Sequence, residues 1–180
     1  MLKRILDISL AFIMLIVLSP ILIVVIFLIL IVERKSPFFV QRRIGFNKTE
    51  FVIYKFRTML NQKITPIGKV LRKTGIDELP QFVNILLGQM SFVGPRPLTQ
   101  GDINRLGWDA DFYNCRWSVR PGIVGLAQLT PVCHKKMSWF YDRVYINTGS
   151  VWLDIKILVA AASIPVVGKQ TVKNWIHGKK

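Results

Sequence analysis

Apolar positions along this 180-residue chain fall into three regimes. From Ile8 to Val32 they run almost unbroken: 22 of 25 residues are hydrophobic, 20 of them Leu, Ile, Val or Phe, and none is charged. At about −0.3 to −0.6 kcal/mol each, these side chains favour membrane insertion by about 6 to 12 kcal/mol. Pro20 costs only about 3 kcal/mol against this. The run is too long for a secretory leader, and no small-residue cleavage site follows it. The pattern then alternates: Phe38 to Arg43 and Glu50 to Thr58 predict two strands around a turn at Gly45-Phe46-Asn47-Lys48. In the second strand Phe51, Ile53, Lys55 and Arg57 share one face by the period of two, so two cations point together.

Further on the spacing becomes helical. Gly68 to Lys73 predicts a short basic helix broken at Gly75, and Leu79, Phe82, Val83, Leu86 and Leu87 predict another that opens at Asp77-Glu78-Leu79-Pro80 and stops at Gly88. Val151 to Ile164 is apolar apart from Asp154, Lys156 and Ser163. Fourteen helical residues reach only about 21 Å, so this stretch packs in a core or lies in an interface. Lys169, Lys173 and His177 share a helical face apart from Val172, Trp175 and Ile176, the pattern of a basic surface-lying helix.

The flanks of the first segment sharpen its topology. Lys3 and Arg4 precede it, and Arg34, Lys35, Arg42 and Arg43 follow it, so both ends favour the cytoplasmic side. Ser19-Pro20 sits at its midpoint, where proline breaks the backbone ladder and a serine hydroxyl can satisfy a freed carbonyl. Two arrangements satisfy the residues: a helix that bends there and returns to the same face, and a kinked helix that spans.

Composition narrows the class. Hydrophobic residues make up 51% of the chain, which excludes intrinsic disorder, and the lack of a second long uncharged run excludes a polytopic carrier. Lys and Arg number 25 against 10 Asp and Glu, a net charge of +15 that suits anionic lipids or phosphorylated ligands. With a membrane segment to account for much of this charge, nucleic acid is not expected as a partner. Cys115 and Cys133 lack paired spacing and have only His134 and His177 as possible co-ligands, so free thiols are expected rather than zinc.

Three places carry candidate chemistry. Asp77-Glu78 before a helix with a proline in its first turn is what ordinary capping produces, and equally a pair of carboxylates at a positive helix end. Gly94-Pro95-Arg96-Pro97 is a stiff turn in which Arg96 can join neither helix nor ladder, and Arg116 and Arg120 precede a second rigid turn at Pro121-Gly122.

Taken together, these pieces resemble a known family. They are Lys3-Arg4-Ile5-Leu6-Asp7 with Ser19-Pro20, Gln41-Arg42-Arg43-Ile44-Gly45, Tyr54-Lys55-Phe56-Arg57-Thr58-Met59, and Asp77-Glu78-Leu79-Pro80-Gln81 through Asn84. Met90-Ser91-Phe92-Val93-Gly94-Pro95-Arg96-Pro97, Arg120-Pro121-Gly122-Ile123 with Gly125, Ala127 and Gln128, and Asp142, Tyr145 and Asp154-Ile155-Lys156 complete the series. In this order, from about Lys3 to Ile157, the chain resembles the bacterial sugar transferases, the monotopic phosphoglycosyl transferases. It is most similar to their small class, which begins at the catalytic unit.

The resemblance implies transfer of a sugar 1-phosphate from a UDP-sugar to polyprenyl (undecaprenyl) phosphate, with release of UMP and use of Mg²⁺. This is the first membrane step of glycan assembly, at the cytoplasmic face of the bacterial inner membrane, with downstream glycosyltransferases as possible partners. It implies that the helix broken at Ser19 and Pro20 is re-entrant. It also implies that Asp77 and Glu78 are catalytic, with Asp77 forming a covalent phosphosugar intermediate and binding the metal, and that Arg96 and Arg72 hold phosphates. Lys55, Arg57, Arg120 and Gln128 complete the expected substrate-binding set. The expected architecture is α+β and helix-rich: a re-entrant membrane helix over 1–33, then a cytoplasmic-face catalytic domain over 34–180 with a small β-hairpin and interfacial amphipathic helices.

The chemistry agrees independently. A diphosphate attacked by a carboxylate needs cations and a metal to neutralise its charge, and arginine supplies a bidentate fork. Adjacent helical residues point about 100° apart, so Asp77 and Glu78 should play different parts. A lipid phosphate with a second pKa of about 6 is mostly dianionic at pH 7, so a dedicated base is not required and Glu78 is free to position metal or acceptor. The chain departs from the family after Gln128, where Leu129-Thr130-Pro131-Val132-Cys133-His134-Lys135-Lys136 replaces an Asn-Gly-Arg-Asn type loop. That leaves the parts of Cys133, His134 and Lys135 and the identity of the sugar open, with N-acetylated amino sugars as the lead from small relatives. Two other readings stay open: a non-catalytic membrane-anchored binder of anionic lipid or nucleic acid, and a single-displacement transferase.

Overall fold

A computed structural model describes residues 2–129 and 135–167. The chain divides into two compact units, Met1–Arg42 with Phe51–Gly88 and Arg43–Glu50 with Gln89–Lys180.

The first unit is organised on helix α1, Leu2–Leu28, which continues as a π-helical turn, Ile29–Glu33, and stops where Arg34 enters the left-handed region at φ 50°. Pro20 lies inside α1. It has no N–H for the carbonyl of Ile16 four residues back. The Ser19 hydroxyl donates to that same carbonyl at 2.7 Å, so the break carries its own repair. Burial along the helix lies towards its two ends: Asp7 and Ala11 are buried before this point, Val25 and Ile29 after it, and no residue from 12 to 24 is buried. Arg4 donates to the carbonyls of Ile85 at 2.6 Å and Leu86 at 3.3 Å, satisfying the open end of a second helix.

Strands β1 (Phe38–Ile44) and β2 (Glu50–Phe56) form the expected hairpin, and β3 (Met59–Leu60) pairs antiparallel with β4 (Lys63–Ile64). Helix α2, Pro66–Thr74, opens with Thr65 as N-cap, its Oγ1 accepting from the Gly68 N–H at 2.9 Å, and ends at Gly75 in the left-handed region. Gly68 lies so close to the Thr58 backbone that a Cβ there would collide with it. Val25, Ile29, Phe56 and Leu71 form the core of this unit, with Leu22, Ile26, Ile67 and Ile76 packed against them.

The helix expected to open at Asp77 begins later. Ile76–Glu78 is a separate 3₁₀ turn, and α3 runs only over Gln81–Leu86. Pro80 has no N–H to give the Ile76 carbonyl, which instead takes the Leu79 N–H at 3.2 Å, so the turn at Asp77 is closed by i→i+3 bonds. Asn84, fully buried, ties α3 to β2, accepting from the Tyr54 N–H at 3.1 Å and donating to the Val52 carbonyl at 2.6 Å.

In the second unit β5 (Ser91–Val93) and β6 (Gly122–Val124) pair in parallel. Gly94 and Gly122 allow a backbone approach that side chains would block. Helix α4, Gln100–Leu106, carries a capping box between Thr99 and Asp102 and ends at Gly107, φ +61°. A 3₁₀ segment, Asp111–Ser118, follows, then α5 (Leu126–Leu129), α6 (Lys135–Thr148) and α7 (Val151–Val167). Ile103, Trp108 and Trp117 form one core cluster here, with Tyr113 and Trp139 against them. The Tyr145 hydroxyl lies 2.9 Å from the Val93 carbonyl and 2.8 Å from Asp154 Oδ1, joining α6, β5 and α7. Helix α7 buries Asp154, Ile157 and Ala160 and leaves Trp152, Ile155 and Val159 exposed. The loop Thr130 to His134 and the basic stretch with Lys169, Lys173 and His177 lie outside the described residues.

Candidate active site

The acidic pair is presented by a short device. Gly75, at φ +75°, reverses the chain after α2, a conformation in which a side chain would be strained. Ile76 is then drawn into the core beside Leu71 and Phe56, which leaves Asp77 and Glu78 half-buried above it. In a 3₁₀ turn successive residues diverge by about 120°, so the two carboxylates face different partners. Glu78 Oε1 lies 2.5 Å from Lys55 Nζ of β2. Asp77 has no cation within ion-pair distance among the described residues, although the charges of Lys55 and Arg72 reach it.

Burial dominates the Asp77 carboxyl and pushes it above its ordinary value; the neighbouring Glu78 charge adds to this, and Lys55 and Arg72 oppose it. Arg72 is held on α2 by a hydrogen bond from its Nε to Thr58 Oγ1 at 2.9 Å. Asp77, Glu78, Lys55 and Arg72 therefore come together within one unit. Arg57 does not join them as the period of two predicted. Strand β2 ends at buried Phe56, and Arg57 turns back to donate to the carbonyls of Ser36 (2.7 Å) and Phe38 (3.1 Å). A strand periodicity holds only as long as the strand does.

Arg96, Arg120 and Gln128 belong to the second unit. Arg96 is exposed between buried Pro95 and Pro97. The Arg120 guanidinium lies over the Phe46 ring, 5.1 Å from its centroid. Gln128 Nε2 is 3.4 Å from the Ile123 carbonyl. Beneath Arg96 is a feature that periodicity missed. Arg116 donates through Nη2 to the Arg96 carbonyl at 2.6 Å and through Nε to Asp142 Oδ2 at 2.9 Å, with both side chains almost wholly buried. Its guanidinium lies 5.3 and 5.0 Å from the ring centroids of Trp108 and Trp117. Burial pushes the Asp142 carboxyl up from its ordinary value while the guanidinium opposes it.

The family model for bacterial sugar transferases matches residues 1–168. The chain belongs to the bacterial sugar transferase family. Among the bacterial sugar transferases it resembles is an uncharacterized sugar transferase of Bacillus subtilis (strain 168), 37% identical over 176 residues, covering 87% of this chain and 83% of that protein. It is 35% identical over 175 residues to the UDP-N-acetylgalactosamine-undecaprenyl-phosphate N-acetylgalactosaminephosphotransferase of Aeromonas hydrophila, covering 87% of this chain and 41% of that one. It is 36% identical over 177 residues to the UDP-glucose:undecaprenyl-phosphate glucose-1-phosphate transferase of Klebsiella pneumoniae, covering 87% and 38%. The chain thus spans about two fifths of the length of these last two relatives.

Two signals in the sequence could have pointed to where these residues go. Arg116 and Asp142 are each a charge set beside aromatic neighbours, Trp117 for one and Phe140-Tyr141 for the other, and such charges fold inward only as a pair. Asn84 is a polar residue within the apolar run of α3, which requires a hydrogen-bonded, buried destination.

Proposed function

We propose that the chain transfers a sugar 1-phosphate from a UDP-sugar to undecaprenyl or a similar polyprenyl phosphate in two steps, as the first membrane step of glycan assembly. The observation that carries this reading is the unequal treatment of the acidic pair: Glu78 is neutralised by Lys55, whereas Asp77 stands half-buried, within the field of two cations but paired to neither. A carboxylate so placed is available as a nucleophile. In the first step an Asp77 oxygen attacks the sugar-bearing phosphorus and the bond to the UMP oxygen breaks. In the second an oxygen of the lipid phosphate attacks that phosphorus, and the acyl phosphate bond to Asp77 breaks. Arg72 and Lys55 neutralise charge on the diphosphate, and the rigid turn around Arg96 supplies a fork for phosphate. The activities of the Aeromonas hydrophila and Klebsiella pneumoniae relatives, with UDP-sugars as donors and undecaprenyl phosphate as acceptor, support the same chemistry.

A divalent cation fits this site only with help from substrate. Among the described residues no group of three or more His, Cys, Asp or Glu is placed to hold one. Magnesium needs only one or two carboxylates when phosphates and waters complete its shell, so Asp77, with Glu78 beside it, would hold it together with the diphosphate. When bound it would neutralise charge developing on the phosphate oxygens.

The membrane segment is proposed to be re-entrant, with its two basic ends on the cytoplasmic face of the inner membrane. Burial at both ends around a bare middle supports this, as does the Ser19 repair at the Pro20 break. The exposed Trp152, Ile155 and Val159 of α7 suit an interfacial position among anionic lipids. Single cysteines near residues 3 and 35, in an otherwise cysteine-free variant, should both label from the cytoplasmic side; labelling from opposite faces refutes the bend.

The covalent step is tested by mixing enzyme, Mg²⁺ and UDP-sugar without lipid acceptor, weighing the intact protein and measuring UMP. Wild type should gain one phosphosugar and release about one UMP per site. The Asp77→Asn variant should do neither. Turnover by a folded Asp77→Asn variant would overturn the assignment.

A further inference from the structure

The function proposed above leaves the start of β1 without a part. Strand β2 keeps the period of a half-buried strand, with Phe51 and Ile53 buried on one face, but its partner does not. Phe38, Phe39 and Val40 stand in a row, 40%, 41% and 55% exposed, and no residue of β1 is buried. Successive side chains of a strand point to opposite faces, so this end of the ribbon is apolar on both. In water such a ribbon is an aggregation hazard, and an exposed patch of this kind marks a surface that something covers.

Position, charge and backbone all point to lipid. The Phe38 ring stacks on Phe56, with centroids 5.7 Å apart, and Phe56 shares a core cluster with Val25 and Ile29 of the membrane segment. The patch is thus one ring away from that segment, whose last apolar residues, Ile31 and Val32, are themselves 70% and 63% exposed. Exposed Arg34 and Lys35 precede the patch and exposed Arg42 follows it, so cations bracket it as they would at the level of lipid phosphates. Arg57 donates through Nε to the Ser36 carbonyl at 2.7 Å, through its backbone N–H to the Pro37 carbonyl at 2.7 Å and through Nη2 to the Phe38 carbonyl at 3.1 Å. Consecutive carbonyls are met by one residue, and Pro37 brings no N–H to be met. Carbonyls that face water need no such cover. A segment that sinks towards hydrocarbon does, because nothing there replaces the lost water.

We propose that the entry of β1 is a bilayer contact of its own, with Phe38, Phe39 and Val40 seated at the boundary between headgroups and acyl chains and Arg34, Lys35 and Arg42 among the phosphates. Arg57, which does not join the acidic pair, is the residue that lets the turn before the strand give up its water. The end of α1 meets a bilayer surface whether that helix bends or spans, and no transfer chemistry is involved, so the proposal stands apart from both of those readings.

The test places the full chain in vesicles of phosphatidylethanolamine and phosphatidylglycerol. Cys115 and Cys133 are replaced by serine, and a nitroxide is carried at Phe39→Cys, at Val40→Cys or, for reference, at Glu50→Cys, an exposed residue at the turn end of the hairpin. Power saturation compares collisions with oxygen, which concentrates in lipid, and with a water-soluble nickel chelate. At both strand positions, which lie on opposite faces, oxygen should dominate, at a depth of about 5–10 Å. At Glu50→Cys the nickel chelate should dominate. Adding Arg57→Met should move both strand labels towards the surface. Nickel dominance at either strand position overturns the proposal, and so does low collision with both reagents, which marks protein cover such as a second copy adding a strand to β1. An unchanged depth in a folded Arg57→Met variant refutes the part given to Arg57; should that variant not fold, the labels beside the native Arg57 still decide the contact.

Discussion

The two units each hold an acid beside a cation, and they treat the pair in opposite ways. In the first, the Lys55 and Glu78 side chains remain 17% and 28% exposed, and Asp77 next to them is left without an ion-pair partner among the described residues. In the second, the Arg116 and Asp142 side chains are 2% and 3% exposed, and Arg116 also donates through Nη2 to the Arg96 carbonyl. Desolvation separates the two outcomes. A pair that keeps some water can exchange partners when a charged substrate arrives, whereas a fully buried pair is bound to its geometry because breaking it strands a charge. The open pair suits chemistry, and the closed pair sets the shape of the turn that carries Arg96.

The sharpest way to break this comparison is to remove one acid from each side. Asp77→Asn should abolish transfer, by at least about a thousandfold, without unfolding the chain. Its melting temperature should equal or exceed that of wild type near neutral pH. The sign follows from the raised carboxyl: Asp77 stabilises the fold only while protonated, fully below its ordinary value of 3.8, and that contribution is lost as pH rises through the raised one. The melting advantage of the variant should therefore shrink as pH falls towards 3.8. Asp142→Asn should do the converse, destabilising by about 3–5 kcal/mol in chemical denaturation because Arg116 is left buried and unpaired. The double variant Arg116→Met, Asp142→Leu should regain part of that loss; no recovery would mean that packing against Trp108 and Trp117, not charge, is what Asp142 secures.

A subtler test uses the cation on the open side. Lys55→Met should cost at most about 1 kcal/mol of stability, as partly exposed pairs do. It should lower activity about 10- to 100-fold, because charge neutralisation at the phosphates is lost. Wild-type activity should fall at low pH as Asp77 is protonated, with an acidic limb above the ordinary carboxylate range; Lys55→Met should move that limb to higher pH, since Lys55 opposes the upward shift. A limb that stays in place would separate Lys55 from Asp77 electrostatically.

Much of the local structure was legible from residue types. The Pro20 break with its serine, the hairpin around Gly45, the stop at Gly75 and the stiff turn at Arg96 each follow from one or two residues with restricted backbones. The start of α3 was not, because acidic residues followed by proline read as an α-helical first turn, whereas the chain forms a 3₁₀ turn and restarts at Gln81. Arg57 was misplaced for a related reason: nothing in its own spacing announces that β2 ends one residue earlier. Asp77, Glu78 and Arg72 were named through the family resemblance and Lys55 through the strand period and the charge of a diphosphate, but which cation each acid meets was not legible.

By itself, then, the sequence determined the apolar segment and its midpoint break, the order of elements, the excess of positive charge and the membership of a family. These are properties of near neighbours in the chain or of composition, and backbone sterics and transfer energies act at that range. Only the tertiary structure decided that Lys55 takes Glu78 and leaves Asp77, that Asn84 latches α3 to β2, and that Arg116 finds Asp142 between two indoles. Those partners are 23, 32 and 26 residues apart. At such separations the choice among several available partners is made by packing and desolvation, which the order of residues constrains but does not spell out.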